Sequence, residues 1–338
     1  MARSPLRLGV IGCANVARQF IAAVAPSETV KVVAVASRDA AKAERFARET
    51  GVARSHGSYA ALLADRDVDA VYNPLPNSLH AEWSIKAAEA GKHILCEKPL
   101  SATGAEARAM FAAARKAGVH MVEAYPYLAH PQTLKLRELL DAGAIGAVRM
   151  IRASIGFTVF DPATNVRFSA PLAGGALYDC GTYPVSLALL AAREKPARVH
   201  ATAQWAPSGV DQSLMATLEF RSGIMAQISC SLVVGSHRHA LITGDGGVIE
   251  TSFLNHAPLG GPPVLHVKQG NRSDTPNETI TTAGGNGFRL EAESFARLVA
   301  GDVGAWTGVS EQQSIDIMDT LEAIRRSAHV GAAVDLPR

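Results

Sequence analysis

The run Leu6-Arg7-Leu8-Gly9-Val10-Ile11-Gly12-Cys13-Ala14-Asn15-Val16-Ala17 decides the fold of this chain. Its first half has the pattern of a short strand, and a helical pattern follows the turn. Gly12, Ala14 and Ala17 occupy the three glycine positions of a dinucleotide-binding turn, where the start of the helix offers amides to a pyrophosphate. The alternative is a plain strand–helix turn, because the methyl group of Ala14 stands where the phosphate approaches. The predicted cofactor contacts in this turn are Gly12, Ala14, Asn15 and Val16.

Strand and helix patterns alternate from this turn to residue 124, with further strands at 30–36, 70–72, 93–96 and 119–124. Such alternation predicts a doubly wound parallel sheet. Ligands bind beyond the carboxyl ends of parallel strands, so the ends of three strands should line one crevice. The second group of predicted cofactor contacts is Asn73, Leu75, Pro76, Asn77, His80, Glu97 and Lys98. For His80, which lies early in a helix, a capping or packing role is the favoured alternative.

The end of the second strand predicts which dinucleotide is bound. An acidic residue there accepts the ribose hydroxyl of NAD, whereas an arginine accommodates the additional phosphate of NADP. Ser37 and Arg38 occupy this place, Lys42 follows one helical turn later, and Asp39 is the predicted N-cap of the helix. We therefore predict NADP in preference to NAD. The alternative is that Arg38 is only a solvated charge at a helix start.

Lys98 follows a buried strand pattern and precedes Pro99, which biases the lysine toward extended geometry. A lysine held at this place can set a positive charge against a ligand oxygen or a neighbouring acid. The alternative is an ordinary exposed Glu-Lys pair, because a motif of three residues has many chance matches.

The second half of the chain carries a different pattern. Asp179 and Tyr183 are four residues apart, which places them on one face of a helix, although Gly181 and Pro184 predict a local distortion. Five short alternating runs follow and predict an antiparallel sheet with helices on one face. We expect a homodimer or homotetramer formed through the other face of this sheet. Arg167 lies in a predicted loop and is either a substrate contact or an exposed loop charge.

Composition limits the function classes. The length of 338 residues suggests about two domains, predicted as residues 1–124 and 125–338, with the C-terminal helix able to return to the first. The net charge of +2 offers no strong field for nucleic acid or a membrane. The four cysteines are widely spaced and the histidines lack metal-ligand spacing, so we expect neither a metal site nor disulfides. The absence of an apolar leader pattern predicts a cytoplasmic protein.

Four motifs together resemble the Gfo/Idh/MocA family of oxidoreductases. They are the turn at Gly12, the run Asn73-Pro74-Leu75-Pro76-Asn77-Ser78-Leu79-His80, Glu97-Lys98-Pro99, and the run from Gly174 to Tyr183. The resemblance implies an α/β protein with a Rossmann domain and a C-terminal domain built on a large, mainly antiparallel open sheet. It also implies hydride transfer on sugars, polyols or related alcohols without a metal. The implied catalytic residues are Lys98, Asp179 and Tyr183.

With a tyrosine at position 183, the chain resembles one subgroup of this family. The subgroup includes glucose–fructose oxidoreductase, dihydrodiol and xylose dehydrogenases, and some sugar-nucleotide ketoreductases. Many relatives carry arginine where this chain has Leu128, which implies a smaller or less polar substrate at that edge. The predicted substrate contacts are Tyr127, Arg167, Asp179 and Tyr183.

The resulting hypothesis is an NADP-dependent dehydrogenase or reductase for a sugar, polyol or dihydrodiol. Tyr183 exchanges the proton, and the charge of Lys98 lowers the phenol pKa from its usual value of about 10. The reverse assignment, with Lys98 as the acid/base, remains open. The alternatives are a sugar-nucleotide ketoreductase and a non-catalytic NADP-binding regulatory protein.

Overall fold

The computed structural model describes residues 4–258 and 260–337. Within them the helices are α1 (Asn15–Val24), α2 (Ala40–Thr50), α3 (Tyr59–Leu63), α4 (His80–Glu89), α5 (Gly104–Ala117), α6 (Pro126–Ala129), α7 (Pro131–Asp141), α8 (Thr182–Ala192), α9 (Gly287–Val299) and α10 (Glu311–Val330). The strands are β1 (Leu6–Ile11), β2 (Val30–Ala36), β3 (Arg54–His56), β4 (Ala70–Asn73), β5 (His93–Glu97), β6 (Met121–Ala124), β7 (Val148–Thr158), β8 (Arg198–Trp205), β9 (Asp211–Glu219), β10 (Met225–Ser231), β11 (Val233–Gly244), β12 (Gly247–Thr251), β13 (Val264–Gln269), β14 (Glu278–Thr281) and β15 (Val334–Asp335).

The chain divides into two compact units, and the division differs from a single boundary after residue 124. The first unit extends to Ala129 and also contains Asn286–Ser314. The second unit consists of His130–Gly285 and the chain from Ile315 onward. The segment Asn286–Ser314 belongs to the first unit because its helix α9 packs on aromatic side chains there. Phe288 of α9 meets the ring of Phe20 edge-on at 5.9 Å, and Phe20 stacks on Tyr72 of β4 at 3.9 Å.

The first unit contains a parallel sheet with the strand order β3-β2-β1-β4-β5-β6. This is the doubly wound arrangement that the alternating pattern predicts. Asp39 caps α2 as predicted, since its carboxylate accepts a hydrogen bond from the Lys42 amide at 3.0 Å. Strand β3 escaped the sequence reasoning because its residues Arg54, Ser55 and His56 carry no apolar alternation.

The second unit contains a sheet with the order β14-β13-β12-β11-β7-β10-β9-β8-β15. Its neighbouring strands pair antiparallel except β7 and β10, which run parallel, so the prediction of a mainly antiparallel sheet is confirmed. The polar, glycine-rich run 271–286 predicts a loop, and this prediction is wrong at β14, whose polar residues pair with β13 from Val264↔Thr281 to Val267↔Glu278. Helix α8 packs on β7 and β10. None of the helices within residues 4–258 and 260–337 is long and apolar enough to cross a membrane.

Candidate active site

The turn between β1 and α1 has the features of a phosphate cradle. Gly12 has φ +104°, and a Cβ atom there would lie 2.9 Å from the side chain of Leu75. Glycine is therefore required for both backbone conformation and space. Helix α1 starts after Ala14 without a side-chain cap and without an acidic residue in its first turn, so its leading amides suit an anion. Asn15 and Val16 form that first turn.

Cations surround this turn. Burial raises the pKa of the Cys13 thiol, and the positive charges of Lys42, Arg18 and Arg45 oppose that rise. Arg38 similarly opposes the rise that burial causes in the pKa of Tyr59. Arg38, just after β2, and Lys42, in the first turn of α2, are both exposed, as a phosphate contact requires. Ser37, next to Arg38, is buried. Sequence reasoning missed Arg45, which follows Lys42 by three residues and so shares its helix face.

The turn after β4 is held by hydrogen bonds of the Asn73 side chain. Asn73 is fully buried, and its amide donates to the His80 carbonyl at 3.3 Å and to the Ser84 hydroxyl at 3.0 Å. Its side-chain oxygen accepts a hydrogen bond from the Leu75 amide at 3.4 Å. Asn73 thus shapes the turn that presents Leu75, Pro76 and Asn77, rather than directing its own amide outward.

His80 joins this turn to the loop that carries Lys98. Its imidazole is fully buried, with Nε2 at 2.7 Å from the Leu75 carbonyl and Nδ1 at 2.9 Å from the Pro99 carbonyl. Burial lowers the pKa of His80 to about 4, although both carbonyls favour the protonated ring. The favoured alternative from the sequence, a packing histidine, describes this arrangement better than a direct cofactor contact.

A second brace holds the loop after Lys98. The Leu100 amide donates to the Glu123 carboxylate at 2.9 Å, and burial raises the pKa of Glu123 to about 7. The carboxylate of Glu97, next to Lys98, accepts a hydrogen bond from the Tyr72 hydroxyl at 2.5 Å and is 6% exposed. Lys98 itself is partly exposed. Sequence reasoning missed Glu123, whose signal was a charged residue inside a buried strand.

In the second unit, Asp179 lies in a π-helical turn, Leu177–Gly181, that leads directly into α8. Tyr183 is the second residue of α8 and is 7% exposed. The wider turn accommodates Pro184 in the first turn of α8, where a missing amide costs little. The predicted distortion is therefore present; it contains Asp179 and ends two residues before Tyr183.

Asp211 holds the start of this turn, and sequence reasoning missed it. Its carboxylate accepts a hydrogen bond from the Leu177 amide at 2.7 Å, and burial raises the pKa of Asp211 to about 6. Gly175 has φ +113°, and a Cβ atom there would lie 2.2 Å from Asp211 Oδ1. The close backbone approach at Gly175 thus has a carboxylate as its partner, whereas a Cβ atom at Gly174 would meet the Arg167 carbonyl oxygen at 2.5 Å.

Arg167 forms an ion pair with Asp179, with Nε 2.7 Å from Oδ2. Burial lowers the pKa of Arg167, but the charge and the hydrogen bond of Asp179, together with smaller contributions from Cys180 and Tyr183, leave that pKa raised. Arg167 therefore orients the aspartate, a third possibility beside the two considered from the sequence. Its predicted contact with substrate stays a prediction.

Tyr183 has two further neighbours that sequence reasoning missed. Its hydroxyl accepts a hydrogen bond from the Asn255 amide at 3.2 Å, and the guanidinium of Arg238 lies over its ring at 4.4 Å.

Tyr127, a predicted substrate contact in the first unit, is fully buried with its ring edge-on to Tyr125, and Leu128 is also buried. Within the described ranges, His, Cys, Asp and Glu side chains form no cluster suited to a metal ion.

Comparison with protein families gives two matches along the chain. Residues 6–125 match the model described as an oxidoreductase family with an NAD-binding Rossmann fold, GFO_IDH_MocA. Residues 133–250 match the GFO/IDH/MocA C-terminal domain. The two matches fall on the two sheets described above.

Individual relatives cover nearly the whole chain. The D-xylose 1-dehydrogenase (NADP(+)) 2 of Haloferax volcanii is 37% identical over 98% of this chain and 100% of its own length. The dTDP-3,4-didehydro-2,6-dideoxy-alpha-D-glucose 3-reductase of Streptomyces violaceoruber is 37% identical, with 96% of each chain covered. A crystal structure of a 3-ketoreductase from Actinomadura kijaniata with NADP and TDP-benzene superposes with a TM-score of 0.85 at 31% identity, covering 96% of this chain and 98% of that one.

Proposed function

This chain belongs to the Gfo/Idh/MocA family of oxidoreductases, and from that premise we propose that it is an NADP-dependent dehydrogenase or reductase. It acts on a carbon that bears a hydroxyl or carbonyl group in a sugar, polyol or dihydrodiol. The observation that carries the proposal is the similarity, over 98% of the chain, to an NADP(+)-dependent xylose dehydrogenase.

The residues of the first unit fit NADP. The leading amides of α1 and the space left by Gly12 hold the pyrophosphate. The charges of Arg38 and Lys42, beside the Ser37 hydroxyl, hold the additional ribose phosphate. When bound, the nicotinamide ring supplies the hydride donor or acceptor.

Proton exchange is assigned to residues of two motifs, Glu97-Lys98-Pro99 and the run from Gly174 to Tyr183. Tyr183 exchanges a proton with the substrate oxygen, and the charge of Lys98 favours the phenolate form. Asp179, oriented by Arg167, accepts a hydrogen bond from a substrate hydroxyl. The reverse assignment gives the proton transfer to Lys98, and the variants described next distinguish the two.

The test is turnover with NADP⁺ and NAD⁺ on aldoses, polyols and trans-dihydrodiols. Tyr183→Phe and Lys98→Ala should each reduce kcat at least about 100-fold, because acid–base catalysis contributes about that much. NADPH binding should persist in Tyr183→Phe. Lys116→Ala, an exposed lysine on α5, is the control. Full activity of Tyr183→Phe moves the proton transfer to Lys98. NADPH binding without turnover of any substrate class overturns the enzyme proposal.

A second candidate is a sugar-nucleotide ketoreductase, since the Streptomyces reductase is as similar as the xylose dehydrogenase. NADPH oxidation with a dTDP-linked ketosugar, set against xylose oxidation in the same preparation, decides between them. The substrate whose kcat/KM is higher by about tenfold or more identifies the substrate class, because a few contacts in the pocket readily produce a difference of that size.

The assembly we propose is a homodimer or homotetramer through the second unit's sheet. The supporting feature is the set of exposed methionines on its strands, Met150 (40%), Met215 (68%) and Met225 (50%). Exposed apolar groups at this density favour a protein partner. The cytoplasmic location stays a prediction from the sequence.

A further inference from the structure

We propose that Arg238 is a positioning residue for Tyr183, which stabilises the phenolate form from the face of the ring while Asn255 orients the hydroxyl. This inference rests on the proposed function for the role of Tyr183 in proton exchange. It adds two residues, both in the second unit, to which neither the sequence motifs nor the family resemblance assigned a role.

The guanidinium of Arg238 lies between two aromatic rings. Its central carbon is 4.4 Å from the ring centroid of Tyr183 and 4.5 Å from that of Phe253. Arg238 comes from β11 and Phe253 follows β12, whereas Tyr183 lies on α8, so three elements meet at the cation. A guanidinium held against two ring faces has little freedom to move, which fixes its charge relative to the phenol.

A chain of hydrogen bonds fixes the orientation of Asn255. Arg238 Nη2 donates to Asn255 Oδ1 at 3.2 Å, and Asn255 Nδ2 donates to the Tyr183 hydroxyl at 3.2 Å. Because arginine only donates, the side-chain oxygen of Asn255 must face it and the amide nitrogen must face the phenol. A phenol oxygen that accepts this bond directs its own proton to a different partner, which in the proposed reaction is the substrate oxygen.

The charge of Arg238 acts directly on the ionised ring. The negative charge of a phenolate spreads into the ring, so a cation over the ring face favours it over the neutral phenol. Burial opposes this, because Tyr183 is only 7% exposed. A fixed cation over the ring face therefore adds to the effect that the proposed function assigns to the charge of Lys98.

The other charged and titratable groups near Tyr183 in the second unit do not replace this cation. Arg167 and Asp179 face Tyr183 as an ion pair and offset one another, and Cys180 lies with them. His130 lies close enough to Arg238 and His256 for their charges to act on its pKa. Burial lowers the pKa of His130 to about 4, so its ring is neutral at pH 7 and does not repel the guanidinium.

The first test is the pH profile of kcat/KM for NADP⁺ reduction. Arg238→Met keeps the length of the side chain and removes its charge. We expect its apparent pKa to rise by about one unit, so that kcat/KM falls about tenfold at neutral pH and recovers at alkaline pH. Arg238→Lys should restore part of the loss because it restores a cation, and NADPH affinity should stay unchanged in both. A loss that is equal at every pH would mean a structural role and overturn the proposal.

The second test needs no substrate. The chain contains six tyrosines, so the ultraviolet titration of Tyr183 is obtained by subtracting the titration of Tyr183→Phe. Arg238→Met should move the midpoint of this difference curve to higher pH, and Asn255→Leu should do so to a smaller extent. An unmoved midpoint overturns the inference, and the neutral variant Arg238→Gln serves if the methionine variant does not fold. Full turnover by Tyr183→Phe would overturn its assigned role, while this titration would still test the effect of Arg238.

Discussion

At the scale of single residues, the most informative positions are those where the type of one side chain decides which ligand is bound. Arg38 stands where an acidic residue would select NAD, and the structure leaves it exposed beside Lys42 and the Gly12 turn. Asn73 and His80 show the opposite case. Their polar groups bind backbone and neighbouring side chains, so they shape the site from within.

Replacing Arg38 by alanine should change the cofactor preference. A charged hydrogen bond contributes about 1.5–3 kcal/mol, so we expect the KM for NADP⁺ to rise at least about tenfold while the KM for NAD⁺ changes little. Steady-state kinetics with both cofactors measures the ratio. Arg48→Ala is the matched control, because Arg48 is exposed in the last turn of α2, the helix that follows Arg38. Equal losses with both cofactors would contradict the role assigned to Arg38.

At the scale of elements, the π-helical turn before α8 explains how Pro184 and Tyr183 share one helix start. The turn depends on Asp211, which caps Leu177 from the first residue of β9. The helix and the strand are therefore coupled by one buried carboxylate, and Gly175 leaves the space for it.

Gly175→Ala should destabilise this connection. The added Cβ atom would lie 2.2 Å from Asp211 Oδ1 at a residue with φ +113°, and a strained, overpacked site of this kind costs about 2 kcal/mol or more. Urea denaturation measures the free energy of unfolding. Gly235→Ala is the control, since a Cβ atom there meets nothing within 4 Å. Equal stability of the two variants would show that Asp211 and the turn adjust without cost.

Element prediction succeeded where local pattern and end signals agreed. The bounds of β1 and β2 coincide with the predicted ones. It failed at β3, β12, β14 and β15, which are short. Such strands exist because a neighbouring strand offers its backbone for pairing, and their own side chains carry little information about that neighbour.

At the scale of the whole molecule, the second unit leaves exposed methionines on a sheet that has helix α8 packed on β7 and β10. Met215 lies on β9 between two buried residues, so its side chain points away from the packed face. A surface of this kind is the basis for the proposed assembly.

Met215→Glu should weaken self-association. A buried, unpaired carboxylate at an interface is costly, so we expect a shift toward monomer at micromolar concentration, measured by analytical ultracentrifugation. Val303→Glu is the control, because Val303 is 71% exposed in the first unit. A sedimentation coefficient that is the same for Met215→Glu and the unaltered chain would argue against an interface at this position.

Sequence alone determined the parallel sheet, the turn at Gly12, the cap at Asp39 and the motifs around Lys98 and Tyr183. These features depend on interactions between residues that are close in the chain, such as strand alternation, helix capping and the φ range of glycine. Only the tertiary structure decided that Asn286–Ser314 returns to the first unit, that Glu123 and His80 brace the Lys98 loop, and that Arg238 and Asn255 meet Tyr183. Those contacts join side chains from distant parts of the chain, and packing of the sheets and helices sets them rather than any local pattern.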